Sequence, residues 1–141
     1  MEEATHQGPA RTRAQQLGDW AEEVAAGYLL EKGFAILERK LRTRLGEVDL
    51  VAQKGVLLAF VEVRYRRSAA FGTPEETVTR GKRRKVILAA FEYARQRRLL
   101  ERRAIRFDVV AVVPGRERPT VLHLEDAFEA DLTRLAPPAF L

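Results

Sequence analysis

The stretch Gly46-Glu47-Val48-Asp49-Leu50-Val51-Ala52, followed after a short turn by Phe60-Val61-Glu62-Val63-Arg64-Tyr65-Arg66, decides the fold. Val48, Leu50 and Ala52 alternate with Glu47, Asp49 and Val51, the period of a strand. Residues 56–64 are more continuously apolar, as in a strand central to a sheet. Gln53-Lys54-Gly55 reads as the tight turn between them. Glu47, Asp49, Glu62 and Arg64 interrupt these apolar runs. Burying acids in such a setting is costly unless a metal ion or a positive side chain pairs with them. Alternation puts Glu47 and Asp49 on one face of their strand, and Glu62 and Arg64 on one face of theirs. A three-residue turn pairs Asp49 near Ala59 and Glu47 near Val61, which leaves Glu62 off the direct partner of Asp49. A bulge or a strong twist is then needed to bring the two acids together.

Upstream of this hairpin, Leu17, Trp20, Ala21, Val24, Ala25, Tyr28 and Leu29 recur at three and four, and Gly33 is a good stop, so a helix is predicted from about Ala14. Glu22 falls on the border of the apolar stripe, where a solvated flank residue is the default reading. Residues 34–39 read as a strand, and residues 40–45, with Lys40, Arg42 and Arg44, as a basic connector. Downstream, residues 66–77 read as a long surface loop of the kind that borders a site. A second helix is predicted near Thr79, with Val86, Ala89, Ala90, Tyr93 and Ala94 on its buried face.

The first turns of that helix carry Arg80, Lys82, Arg83, Arg84 and Lys85. The macrodipole repels cations there by a few tenths of a kcal/mol each, roughly, whereas a bound anion makes the same arrangement an asset. A phosphate-binding face and a merely solvated one stand about even. Lys82 lies four residues before Val86, so it continues the buried face and points inward. Residues 105–113 form a strong strand in which Arg106 and Asp108 neutralise each other, and residues 120–124 an edge strand in which His123 is structural. The expected organisation is a flexible tail over 1–12, one domain over 13–128 and a C-terminal tail over 129–141.

The bulk numbers narrow the class. A chain of 141 residues suffices for one domain, and 46% hydrophobic with 32% charged residues suits a globular rather than a disordered one. With no cysteine, disulfides and thiolate metal sites are excluded, which fits the cytoplasm. No apolar run reaches the ~20 residues of a membrane helix, and the N-terminus does not read as a signal peptide. A net charge of +5, carried mostly by arginine, suits nucleic acid.

Carboxylate oxygens suit Mg²⁺ or Mn²⁺ rather than zinc. An Asp on one strand and Glu-x-Lys on the next is the pattern of metal-dependent nucleases, matched here by Asp49 and Glu62-Val63-Arg64. The pattern is short and recurs by chance. The competing reading is a set of Asp/Glu–Arg ion pairs on a sheet face.

The wider run resembles the YraN family of bacterial proteins, viewed as restriction-endonuclease-like. The likeness covers Leu17-Gly18, residues 21–29, Lys32-Gly33-Phe34, residues 46–52 and 60–64, Val78-Thr79 with Lys82, residues 106–110 and His123-Leu124-Glu125-Asp126-Ala127-Phe128, all in order. The resemblance implies an α/β restriction-endonuclease-like fold of the PD-(D/E)xK superfamily, with a mixed central β-sheet flanked by helices, similar to archaeal Holliday junction resolvases. It makes Asp49 and Glu62 ligands of Mg²⁺ or Mn²⁺, with the Val63 carbonyl as a third. It brings Glu22 to complete the site, leaves Glu47 with a less defined role, and sets Lys82 against phosphate. Two positions depart from it. Arg64 replaces the usual lysine and stays protonated, so it holds phosphate instead of acting as a base. Lys40 stands where the family tends to have Asn.

The expectation is therefore a metal-dependent endonuclease hydrolysing DNA, branched or damaged DNA included. Asp49, Glu62, Arg64 and Glu22 carry the chemistry. Lys40, Arg42, Arg44, Arg66, Lys82, Arg83, Arg84 and Lys85 grip the backbone. RNA as a target and a homodimer stay open. The alternatives are a non-catalytic nucleic-acid-binding protein on the same fold and a structural or partner-binding domain.

Overall fold

Helix α1 (Arg13–Glu31) opens on a capping box, in which Thr12 Oγ1 accepts from the Gln15 amide at 3.1 Å and Gln15 Oε1 accepts from the Thr12 amide at 2.9 Å. It closes on Gly33, whose φ of +93° lets the Gly33 and Phe34 amides turn back onto Leu30 and Leu29 carbonyls at 3.0 Å. Both ends thus follow from local chemistry legible in the chain. The structure, a computed structural model, describes residues 10–68 and 78–130. Residues 1–9 of the expected N-terminal tail, 69–77 of the expected loop and 131–141 of the expected C-terminal tail lie outside the described residues.

Five strands form one mixed sheet in the order β1-β2-β3-β4-β5. They are β1 (Ala35–Arg42), β2 (Glu47–Lys54), β3 (Leu57–Tyr65), β4 (Ala104–Val113) and β5 (Thr120–Leu124). β1, β2 and β3 are an antiparallel meander, and β5 pairs antiparallel on β4. Helix α2 (Arg80–Gln96) makes the crossover that sets β4 parallel to β3. α1 covers one face, with Ala21, Ala25 and Leu29 against Leu50, Ala59 and Val61. α2 covers the other, with Val86, Ala90 and Tyr93 against Val51, Phe60 and Phe107. Among the described residues no helix is long and apolar enough to cross a membrane.

Two expectations are corrected. Residues 40–42 are not connector but the end of β1, because an edge strand tolerates a run of lysine and arginine that reads like a linker. The hairpin tip is only Thr43 to Gly46, closed by the Thr43 amide donating to the Gly46 carbonyl at 2.8 Å. Second, the β2–β3 turn has two residues, not three. Gly55 takes φ +59° at its first central position, and Lys54 pairs with Leu57. The register shifts accordingly: Ala52 pairs with Ala59 and Leu50 with Val61, so one further step sets Asp49 opposite Glu62.

The sheet changes face at one point. Leu50 packs into the α1-side core and Arg39 meets Glu23 of α1 at 2.7 Å. Two residues on, Leu41 and its partner Val48 pack into the α2-side core. Strict alternation forbids this, because residues two apart share a face. The switch falls at Lys40, whose φ is +50°, and at Asp49 across from it. The Gly46 tip then seats on α2, where an added Cβ meets the Lys85 carbonyl oxygen at 2.0 Å. That close approach sets Glu47 beside Lys82.

Candidate active site

The acids collect where β2 parts from β3. The last pair of that ladder is Leu50 with Val61. Beyond it the Val63 amide donates to Asp49 Oδ2 at 2.8 Å, a side-chain bond in place of a backbone one. Asp49 is thereby held within hydrogen-bond reach of Glu62.

Glu62 is 1% exposed, and its Oε2 is buried with no hydrogen-bond partner among the described residues. Burial, then the hydrogen bond to Asp49 and the charge of Asp49, push its carboxyl up to about 10, against the pull of Lys82 and Arg64. At neutral pH Glu62 therefore carries a proton. Lys82 reaches in from α2, its Nζ 3.6 Å from Glu47 Oε1 and 3.8 Å from Glu62 Oε1. The inward reading of Lys82 holds, because four residues is one helical turn before Val86.

Glu22 enters from α1. Its Oε2 lies 2.7 Å from Lys40 Nζ, which also meets Asp19 Oδ1 at 2.8 Å. Burial lifts the Glu22 carboxyl, the Lys40 bond opposes this, and the charges of Asp49 and Asp19 add to the rise. Glu22 is thus no solvated flank residue, and Asp49 is close enough to act on it. The sequence signal for Asp19 is its spacing, three residues before Glu22 on one helix flank.

The cations divide into two groups. Lys40 and Lys82 face the acids. Arg66 is buried and its amide donates to the Val112 carbonyl at 3.0 Å, whereas Arg83 Nε donates to the Val78 carbonyl at 2.9 Å and its guanidinium lies over Phe128. Arg42, Arg44, Arg84 and Lys85 are exposed, on the hairpin tip and the adjoining first turns of α2. Arg64 is half-buried and its Nε has no partner among the described residues. Away from the acids, Arg106 grips Asp108 through two 2.8 Å bonds, and His123 bridges Asp108 at 2.8 Å and the Tyr28 hydroxyl at 3.1 Å. Both residues are structural there, as expected.

Asp49 and Glu62 are hard oxygen donors, and the orphaned Glu62 Oε2 has an open valence for a cation, so this pair fits Mg²⁺ or Mn²⁺. Among the described residues no three His, Cys, Asp or Glu side chains are grouped to hold an ion by themselves. Glu22 and Glu47 are held by lysines instead. At Val63 it is the amide that the structure ties to the site.

Comparison with known proteins follows the same span. A family model described as "Uncharacterised protein family UPF0102" matches residues 21–112. A UPF0102 protein of Anaeromyxobacter dehalogenans is 53% identical over 117 residues, covering 83% of this chain and 87% of its own. One of Syntrophotalea carbinolica is 44% identical over 115 residues, covering 82% and 93%. One of Rhodococcus opacus is 46% identical over 113 residues, covering 79% and 95%.

Proposed function

We propose that this chain, which belongs to the uncharacterised UPF0102 family, is a Mg²⁺- or Mn²⁺-dependent endonuclease that hydrolyses DNA phosphodiester bonds on a restriction-endonuclease-like fold. One observation carries the reading: Asp49 and Glu62 meet opposite one another where two strands part, with one Glu62 oxygen buried and unpartnered. A set of purely structural ion pairs tends to satisfy such an atom, because a buried polar atom left without a partner costs about 1–3 kcal/mol.

Asp49 and Glu62 would hold the ion, Glu62 in its deprotonated form. When bound, Mg²⁺ or Mn²⁺ supplies Lewis acidity that polarises the phosphodiester and acidifies water. Arg64, always protonated, holds a phosphate oxygen and steadies the charge that develops there. Lys82, beside Glu47 and Glu62, screens the acids from the incoming phosphate. Arg42, Arg44, Arg84 and Lys85 form one basic surface, because the Gly46 tip touches α2 at Lys85, and that surface tracks the DNA backbone.

The second reading is a nucleic-acid-binding protein without catalysis, favoured by Arg64 standing where a lysine base belongs. Incubation with duplex, nicked, branched and single-stranded DNA separates the two. Cutting in Mg²⁺ or Mn²⁺ that stops with chelator supports the enzyme. Salt-sensitive binding with no cutting in either metal supports the second reading. Failure to bind DNA or RNA at low salt leaves a partner-binding or structural domain.

A further inference from the structure

The tip of the β1–β2 hairpin holds an apolar side chain out to solvent on a braced support. Leu45 is 43% exposed. The Leu45 and Gly46 amides both donate to Thr43 Oγ1 at 3.1 Å, and the Thr43 hydroxyl donates to the Gly46 carbonyl at 3.1 Å. Gly46 itself is seated on the Lys85 backbone of α2 too closely to admit a Cβ. A single exposed leucine is ordinary. This one is set among cations. Arg42 and Arg44 stand beside it on the hairpin, Arg84 and Lys85 on the adjoining turn of α2, and all four are exposed. It also leads into the strand of the acids, two residues before Glu47 and four before Asp49. That is at most about 13 Å of extended chain.

We propose that Leu45 is a wedge that enters the DNA base stack, with Arg42, Arg44, Arg84 and Lys85 on the flanking phosphates, and that it directs this site to interrupted duplex, one carrying a nick, over continuous duplex. The inference rests on the DNA reading put forward above and names its substrate class. Phosphate contact accounts for the four cations but not for the leucine, which offers a phosphate nothing. The apolar surface that lies between two rows of phosphates is the stacked face of the bases. Apolar side chains inserted between base steps partly unstack and kink the duplex, at an energetic cost set by how readily that step deforms. A nick frees one strand to kink, so the wedge enters there at the least cost. The braced turn supports this use, because a tip tied to itself and seated on a helix does not yield when it is pushed into the stack.

The test is DNA binding by the full chain in chelator, where no cutting intervenes. Two duplexes of one sequence are compared, one continuous and one with a central nick, each carrying 2-aminopurine at the same central step, a base whose fluorescence rises when it is unstacked. Wild type is expected to bind the nicked duplex about tenfold tighter and to raise its fluorescence. Leu45→Ala, at an exposed position, is expected to bring the preference below about twofold and to lose the rise. Leu45→Phe, which keeps an apolar wedge, is expected to retain both. Equal wild-type affinity for the two duplexes overturns the proposal and leaves the DNA reading standing. So does a fluorescence rise that survives in Leu45→Ala, or a Leu45→Ala change that weakens both duplexes alike. Failure of wild type to bind either duplex at low salt overturns both readings.

Discussion

The Val63 amide donates to Asp49 Oδ2 at 2.8 Å, so a carboxylate takes over the strand ladder where β2 and β3 stop exchanging backbone hydrogen bonds. Burial raises the Glu62 pKa most, and the same Asp49 carboxylate adds to the rise through a hydrogen bond and its charge. Asp49→Ala removes two of the influences that raise Glu62, its hydrogen bond and its charge. The Glu62 pKa is therefore expected to fall in the variant while staying above the ordinary carboxylate range, because burial, the largest cause, remains. Carbon-13 NMR titration of the Glu62 carboxyl reads this directly, and an unchanged pKa contradicts the pairing.

Glu62 also predicts a pH-dependent stability. Its folded pKa is raised, so above the unfolded value of 4.5 the unfolded chain binds fewer protons than the folded one. Stability due to this group is complete below that value and falls as pH rises toward about 10. Glu62→Gln keeps the shape and removes the burden. It is expected to raise stability by roughly 2 kcal/mol near neutral pH and by nearly nothing near pH 4. Urea unfolding at both pH values checks this, and an equal gain at both counts against a buried, protonated Glu62.

Gly46 makes a purely steric prediction. Its Cβ position lies 2.0 Å from the backbone oxygen of Lys85, which no side-chain motion relieves. Gly46→Ala is expected to destabilise by about 3 kcal/mol, the upper range for overpacking. Gly27→Ala, in mid-helix with nothing within 4 Å, is the control and is expected to gain about 0.5–1 kcal/mol. Equal effects of the two changes in urea unfolding contradict the seat of the hairpin tip on α2.

Asp108 tests the opposite pH sign. Burial raises its carboxyl, but bonds from His123, Arg106 and the Asp126 amide outweigh this and hold it below the usual range. Its contribution is present above the unfolded value of 3.8 and is lost as pH falls. Asp108→Ala strands Arg106 and His123 and is expected to cost about 3–5 kcal/mol at neutral pH, with the difference from wild type shrinking in acid. Metal binding is expected to be unchanged in any folded fraction. A loss of metal affinity in that fraction contradicts a purely structural role.

The helices, the strands and the inward Lys82 were legible because each rests on a periodicity or a cap: Thr12 with Gln15, Gly33 in the left-handed region, Val86 four after Lys82. The family likeness from Leu17 to Phe128 matched the UPF0102 assignment over residues 21–112. The register of Asp49 against Glu62 was not legible, since Gln53-Lys54-Gly55 admits turns of two or three residues and only the backbone angle of Gly55 decides. Nor was the change of face at Lys40, because a lysine gives no sequence signal of positive φ. Lys40 and Arg66 therefore read as surface cations, although one closes on Glu22 and Asp19 and the other is buried.

The most direct measurement of the central claim is cleavage of a labelled DNA panel in Mn²⁺ by wild type, Asp49→Ala and Glu62→Ala, purified identically and shown to be folded. The account predicts metal-dependent cutting by wild type that falls at least about 100-fold in each variant, on the scale of losing a group that stabilises the transition state. Cutting that survives in both variants, or none by wild type in any metal, contradicts it.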